Sequence, residues 1–249
     1  MFGQMLRNLP PVTKNLLILN ILIWLVTELA GPSFAHKLSI YAGLHYFSSG
    51  LFNPFQLVTY MFLHANFTHL FFNMFALFMF GGLLERTLDS RRFLFYYISC
   101  GIGAGLIQEG VYAIMVSRYS AIVDPQVMTM IQEQGAELFR QSKNYVDPFL
   151  GSLNSLINSP TVGASGAIYG ILLAFGMLYP NMRLYLMFIP YPIKAKWMVA
   201  GYAVLELLLG LSNRAGDNVA HFAHLGGMLI GLLMILYWKR TGLFRNRYF

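Results

Sequence analysis

Charge is scarce in this chain: Asp, Glu, Lys and Arg make up only 11% of its 249 residues, less than half of the roughly 25% usual in soluble domains. That shortfall excludes an ordinary water-facing surface and the disordered class, which needs high charge and little hydrophobicity. Cysteine is scarcer still. Cys100 stands alone, so no intrachain disulfide can form and a disulfide-stapled scaffold is excluded; set within an apolar run, it reads as a small packing residue. Acidic residues number 10 against 17 Lys and Arg, a net charge of +7. In a soluble protein that excess would suggest nucleic acid as a partner, but here the cations cluster between apolar runs, as topology determinants do. The N-terminal MFGQMLRNLPPVTKN lacks a small-residue cleavage site, so the apolar run after it is expected to stay attached. The absence of a transit peptide and of soluble extensions gives the expectation of a bacterial inner (plasma) membrane.

What is present is apolar: 57% hydrophobic residues and a mean hydropathy of +0.55. Six runs could cross a hydrocarbon core of about 30 Å: residues 16–30, 68–84, 93–116, 165–179, 197–211 and 218–238. Lipid offers no partner to a free backbone amide, so these runs are expected to be helices. With the N-terminus inside, Arg7, Lys14, Arg86, Arg91, Arg92, Arg183, Lys194, Lys196, Lys239, Arg240, Arg245 and Arg247 fall on the cytoplasmic face. Only Lys37, Arg118, Arg140, Lys143 and Arg214 fall opposite. This asymmetry supports six spans with both termini cytoplasmic. Two outer connections are long. Residues 31–67 are rich in Tyr, Phe and Gly, a composition suited to the membrane interface. Residues 117–163 contain Asp124-Pro125 and Asp147-Pro148, each a cap followed by a proline at the first helical position, which predicts two short helices there.

Spans two, four and six all run inward, and their first turns share one layer about 10 Å below the outer surface at 1.5 Å per residue. His64, His69 and Asn73 in HANFTHLFFN, Ser165 in GASG, and His221 and His224 in NVAHFAHLGG concentrate in that layer. Polar groups at such depth usually face the bundle interior and mark function. The fourth run, closed by Pro180, is only about 15 residues or 22 Å long, so its helix must start below the outer face, with Ser165 at a recessed N-terminus. Free amides and the positive dipole end stabilise negative charge there, and Gly163 and Gly166 allow a sharp entry. His224, Gly227 and Gly231 share one face of span six, while Gly166, Gly170 and Ala174 form a matching stripe on span four. Small residues spaced by four let membrane helices approach closely, which would bring the Ser165 hydroxyl to His224. His69 and Asn73, four apart, share a face from which both could hold a carbonyl oxygen. His64 cannot share that face and reads as ordering the outer loop; His221 reads as structural or exposed. Asp217 is about two turns from His224 and Glu85 belongs at the opposite face, so a serine and histidine dyad is the economical arrangement. Glu28, Glu109 and Glu206, in odd-numbered spans, read as interhelical hydrogen-bond partners or helix-end residues.

These motifs resemble those of the rhomboid intramembrane serine proteases: H-x4-H-x3-N on the second span (His64, His69, Asn73), G-x-S-G heading the fourth (Gly163 to Gly166), and A-H-x2-G-x3-G on the sixth (Ala223 to Gly231). The resemblance covers nearly the whole chain. It implies one all-α domain over residues 1–249, a polytopic six-transmembrane-helix rhomboid-like bundle. It implies Ser165 as nucleophile, His224 as general base, and His69, Asn73 and the Ser165 amide as oxyanion hole. It further implies Gly163 and His64 in support, Tyr169 packed on the catalytic imidazole, and Glu85 as a structural glutamate at the inner end of span two. No cofactor or metal is implied, and the expected partners are the lipid bilayer and single-pass or multi-pass membrane protein substrates, cut near the outer face. Phe55-Gln56 stands where many relatives carry Trp-Arg, which removes the arginine that anchors the first outer loop in those relatives. Two competing readings are a proteolytically dead relative that binds membrane proteins, and a transporter or metal-binding protein using His64, His69, His221 and His224. The retained serine and histidine speak against the first. The lack of paired broken spans and of a shared His64 and His69 face speaks against the second.

Overall fold

The computed structural model describes residues 8–185, 191–212 and 220–244. Among the described residues the chain is helical apart from one pair of two-residue strands and an isolated bridge between Leu44 and Thr161. The long helices are α1 (Pro11–Ala30), α4 (Phe67–Leu88), α5 (Ser90–Ser120), α8 (Ser165–Leu178), α9 (Ala195–Ser212) and α10 (His221–Arg240). Five are long and apolar enough to cross a membrane, and α8 is the shorter apolar sixth. They coincide with the six apolar runs, extending most of them by a few residues at the ends. Asn218 of the sixth run and Asp217 lie outside the described residues, as do Arg7, Arg214, Arg245 and Arg247.

Lipid replaces water as the solvent of this bundle, and the burial pattern follows. Outward faces carry Leu22, Val26 and Leu29 on α1, Phe71, Phe72 and Phe75 on α4, and Val204, Leu208 and Leu211 on α9, all exposed. An apolar surface of that extent on a soluble protein would drive association; here it faces acyl chains. α8 is the opposite case: ten of its fourteen residues are buried, because it packs against α10, α5 and α9. Its contact with α10 is backbone against backbone. A Cβ built on Gly227 would lie 1.8 Å from the Gly166 carbonyl oxygen, and one built on Gly170 would lie 3.1 Å from the Gly227 oxygen and 2.6 Å from Cys100 Sγ. The two glycine stripes therefore face each other, and Cys100 is the buried packing residue expected of it. Tyr96 from α5 closes the seam by donating to the Gly170 carbonyl at 2.7 Å.

At the inner end of α4, Glu85 caps the first turn of α1. Its carboxylate accepts from the Val12 amide (3.0 Å), the Thr13 amide (2.7 Å), the Thr13 hydroxyl (2.8 Å) and the Ser90 hydroxyl (2.6 Å). Those amides are helix-terminal donors with no intrahelical partner, and Pro10 offers no side-chain cap, so a glutamate 72 residues away does the capping. Midway along α4, residues Leu77–Gly81 form a π-helical turn.

The first outer connection holds α2 (Pro32–Ala42) and α3 (Gln56–Thr59); the second holds α6 (Pro125–Arg140) and α7 (Pro148–Asn158). Asp124 accepts from the Gln126 amide at 2.7 Å and Asp147 from the Leu150 amide at 2.9 Å, so both Asp-Pro pairs start helices as their sequence dictates. The two connections are tied together: Ser49 donates to Asn158 Oδ1 at 2.6 Å, and the ring nitrogens of the buried His45 lie 2.7 Å from the Asn158 carbonyl and 3.0 Å from that of Ile40. The arginine anchor is replaced by a carboxamide. Gln56, 1% exposed, accepts from the His45 and Asn53 amides and donates to the Ile40, Tyr41 and Leu51 carbonyls. One element was not expected: between α8 and α9, β1 (Arg183–Leu184) pairs antiparallel with β2 (Ile193–Lys194).

Candidate active site

Ser165 is the first residue of α8, and among the described residues no side chain caps that helix. The chain enters it through Gly163, whose φ of +131° is a conformation that side chains other than glycine's resist. A Cβ there would also lie 2.7 Å from His69 Nε2 and 3.6 Å from Ser165 Oγ, so Gly163 occupies the narrow space between the serine and the His69 ring. Its amide donates to the Tyr60 carbonyl at 2.9 Å, which fixes the entry.

Across the glycine seam, Nε2 of His224 lies 2.8 Å from Ser165 Oγ. The Tyr169 ring stacks on the imidazole, centroids 4.3 Å apart and planes 8° from parallel. Ser165 is half-buried and His224 is 8% exposed. His69 and Asn73 lie one turn apart on α4, whose start is capped by Asn66 accepting from the His69 amide at 2.9 Å. Asn73 is buried, and its Nδ2 has no partner among the described residues. A buried donor left unused costs about 1–3 kcal/mol and calls for an explanation. His64 sits in the turn before α4 with its ring 5.2 Å from that of His69, edge to face. Burial, reinforced by the neighbouring His69 ring, drives its pKa down to about 3, so it is a neutral ring beside His69.

Glu206 is an interhelical hydrogen-bond partner, as its sequence context implies, and it reaches from α9 to the far side of His224. Its Oε1 accepts from the Tyr169 hydroxyl. Its Oε2 lies 2.6 Å from His221 Nδ1 and 2.9 Å from His224 Nδ1, the second contact being off the line of a straight hydrogen bond. Of the two expectations for His221, structural or exposed, the first holds: the ring is buried and paired with Glu206. The available signal was the acid itself, set in the apolar run VLELLLG, where an unpaired charge is costly enough to imply a partner. Glu109, by contrast, accepts from the Phe47 amide at 2.8 Å and stays remote from Ser165 in the hydrogen-bond network, and Glu28 is an exposed residue near the end of α1. Glu206, His221 and His224 each offer one ligand atom, all within 4.8 Å of one another, so they could hold a divalent ion. This differs from the four-histidine set, since His64 and His69 are not in it.

The chain matches the family model described as the rhomboid domain over residues 51–241. It is 31% identical to rhomboid protease AarA of Providencia stuartii over 186 residues, covering 70% of this chain and 52% of that one. It is 28% identical over 194 residues to the mitochondrial RHOMBOID-like protein 12 of Arabidopsis thaliana, covering 77% and 48%. It is 26% identical over 180 residues to the mitochondrial rhomboid protein 1 of Saccharomyces cerevisiae, covering 72% and 40%. The chain thus spans about half the length of these relatives or less.

Proposed function

From the premise that this multi-pass membrane protein belongs to the rhomboid family, we propose that it is an intramembrane serine endopeptidase that cuts membrane protein substrates in or beside a transmembrane segment. The observation that carries this reading is the 2.8 Å contact between Ser165 Oγ and His224 Nε2 at a helix N-terminus. An imidazole at that distance can take the hydroxyl proton as the oxygen attacks a peptide carbonyl. The resulting oxyanion would be held by the Ser165 amide at the positive end of α8, by the unused Asn73 Nδ2 and by His69 across Gly163. His224 then returns the proton to the leaving amine, and water repeats the cycle on the acyl-enzyme.

A substrate helix must unwind locally, because its amides are shielded by their own hydrogen bonds, so substrates with helix-weakening residues near the cut are favoured. Water must reach Ser165, so the reaction requires a polar path to it from the outer face. The asymmetry of basic residues supports a cytoplasmic position for both termini, and the reading extends to a bacterial plasma membrane. Reporter fusions after residues 143 and 249 test the orientation: an exported-phosphatase signal is expected from the first alone, and the reverse pattern overturns it.

The reaction itself is tested with a fluorophosphonate probe. Wild type should be labelled, while Ser165→Ala is not and His224→Ala is labelled only marginally. Undiminished labelling of purified Ser165→Ala would overturn the assignment of the nucleophile.

A further inference from the structure

Resting on that reading of Ser165 and His224, we infer that Glu206 completes the catalytic unit as a positioning residue, so that the chain works with a serine, histidine and glutamate triad. The geometry is that of one carboxylate accepting two hydrogen bonds and lying beside a second imidazole nitrogen. Oε1 takes the Tyr169 hydroxyl; Oε2 takes His221 Nδ1 at 2.6 Å and sits 2.9 Å from His224 Nδ1. Each of these groups is buried or half-buried, and Glu206 lies on the side of α9 that also buries Met198 and Val199.

An imidazole accepts a proton at Nε2 only in the tautomer that carries its hydrogen at Nδ1. A carboxylate beside Nδ1 favours that tautomer, because the alternative would set a lone pair against the negative oxygen. Proton bookkeeping is then simple. The serine proton moves to Nε2, the Nδ1 hydrogen stays where it is, Glu206 remains ionised, and the imidazolium formed lies against a negative charge in a low-dielectric interior where such charges act strongly. Tyr169 has two parts in this arrangement: its ring stacks on His224 and its hydroxyl holds the carboxylate that orients the same ring. The off-line approach of His224 Nδ1 follows from two imidazoles sharing one oxygen, and catalytic contacts of this kind commonly tighten when substrate binds.

The test compares Glu206→Gln and Glu206→Asp with wild type in full-length protein reconstituted in liposomes, on a single-pass substrate. The carboxamide keeps the shape and can still accept from both imidazoles, but it carries no charge. Its kcat is expected to fall about 100-fold or more, within the range that acid–base assistance supplies, at little-changed KM. Asp keeps the charge but is one methylene short and is expected to fall between the two. Thermal midpoints report whether each variant is folded. If Gln does not fold, the Asp variant decides alone, since wild-type kcat there contradicts the inference. A Gln variant with kcat within about twofold of wild type, or one more active than Asp, overturns it. So does loss of wild-type activity on chelator treatment, which would mean that the three groups hold a metal. Failure of the nucleophile assignment is separately visible: cleavage by Ser165→Ala would sink the underlying reading, whereas a silent Ser165→Ala beside a fully active Glu206→Gln would sink only this inference.

Discussion

Gly227 on α10 faces the Gly166 carbonyl on α8 so closely that even one added carbon, 1.8 Å from the oxygen, cannot be accommodated without moving a helix. His224 lies one turn before Gly227 and Ser165 one residue before Gly166, so the same seam sets the distance between hydroxyl and imidazole.

Gly227→Ala is therefore expected to separate the two helices. Overpacking costs about 1–3 kcal/mol, and a misplacement of about 1 Å at reacting atoms can cost about 100-fold in rate. A lowered thermal midpoint and a cleavage rate reduced on that scale are the expected results. Gly201→Ala on α9 is the control: a Cβ there meets nothing within 4 Å, so activity should match wild type.

Removing either proposed oxyanion donor, His69 or Asn73, leaves the proposed nucleophile and base intact. For His69→Ala or Asn73→Ala, kcat on a transmembrane substrate should fall about 100- to 1000-fold with the thermal midpoint preserved. Normal turnover in both variants would dismiss their part in the reaction.

Glu85 acts at the other end of the bundle. Three of its four hydrogen bonds cap α1 and the fourth ties in Ser90 at the start of α5, and bonds to a charged group are worth about 1.5–3 kcal/mol each. Glu85→Ala should lower thermal stability by several degrees while the folded fraction, titrated with the fluorophosphonate probe, keeps wild-type turnover per labelled site.

Gln56→Leu removes the partner that the His45 and Asn53 amides and the Tyr41 and Leu51 carbonyls find in this side chain, at about 1–3 kcal/mol for each group left unsatisfied. Faster hydrogen exchange confined to residues 40–56 and to the neighbouring α7 is expected, measured by mass spectrometry; unchanged protection there would show that this carboxamide is not the anchor.

Much of this arrangement can be read from residue spacing. A three-and-four repeat fixes which groups share a helix face, so the facing of the glycine stripes and the meeting of Ser165 with His224 follow from sequence, as do the Asp124 and Asp147 caps. Contacts between segments far apart and without a repeat are less accessible. Glu206 precedes His224 by 18 positions across a loop, and nothing in its spacing aims it at Nδ1; only the cost of an acid in an apolar run hinted at a partner. Gln56 was obscured for a related reason. Anchoring was tied to an arginine's charge, while a neutral amide can both donate and accept, and five backbone groups are within its reach. The β1 and β2 pair is two residues long on each side, too short to produce a readable alternation.

The most direct measurement is cleavage of a single-pass membrane substrate by purified protein reconstituted in liposomes, wild type against Ser165→Ala. A cut within or beside the transmembrane segment is expected from wild type and none from the variant. Equal cleavage by both would contradict this expectation.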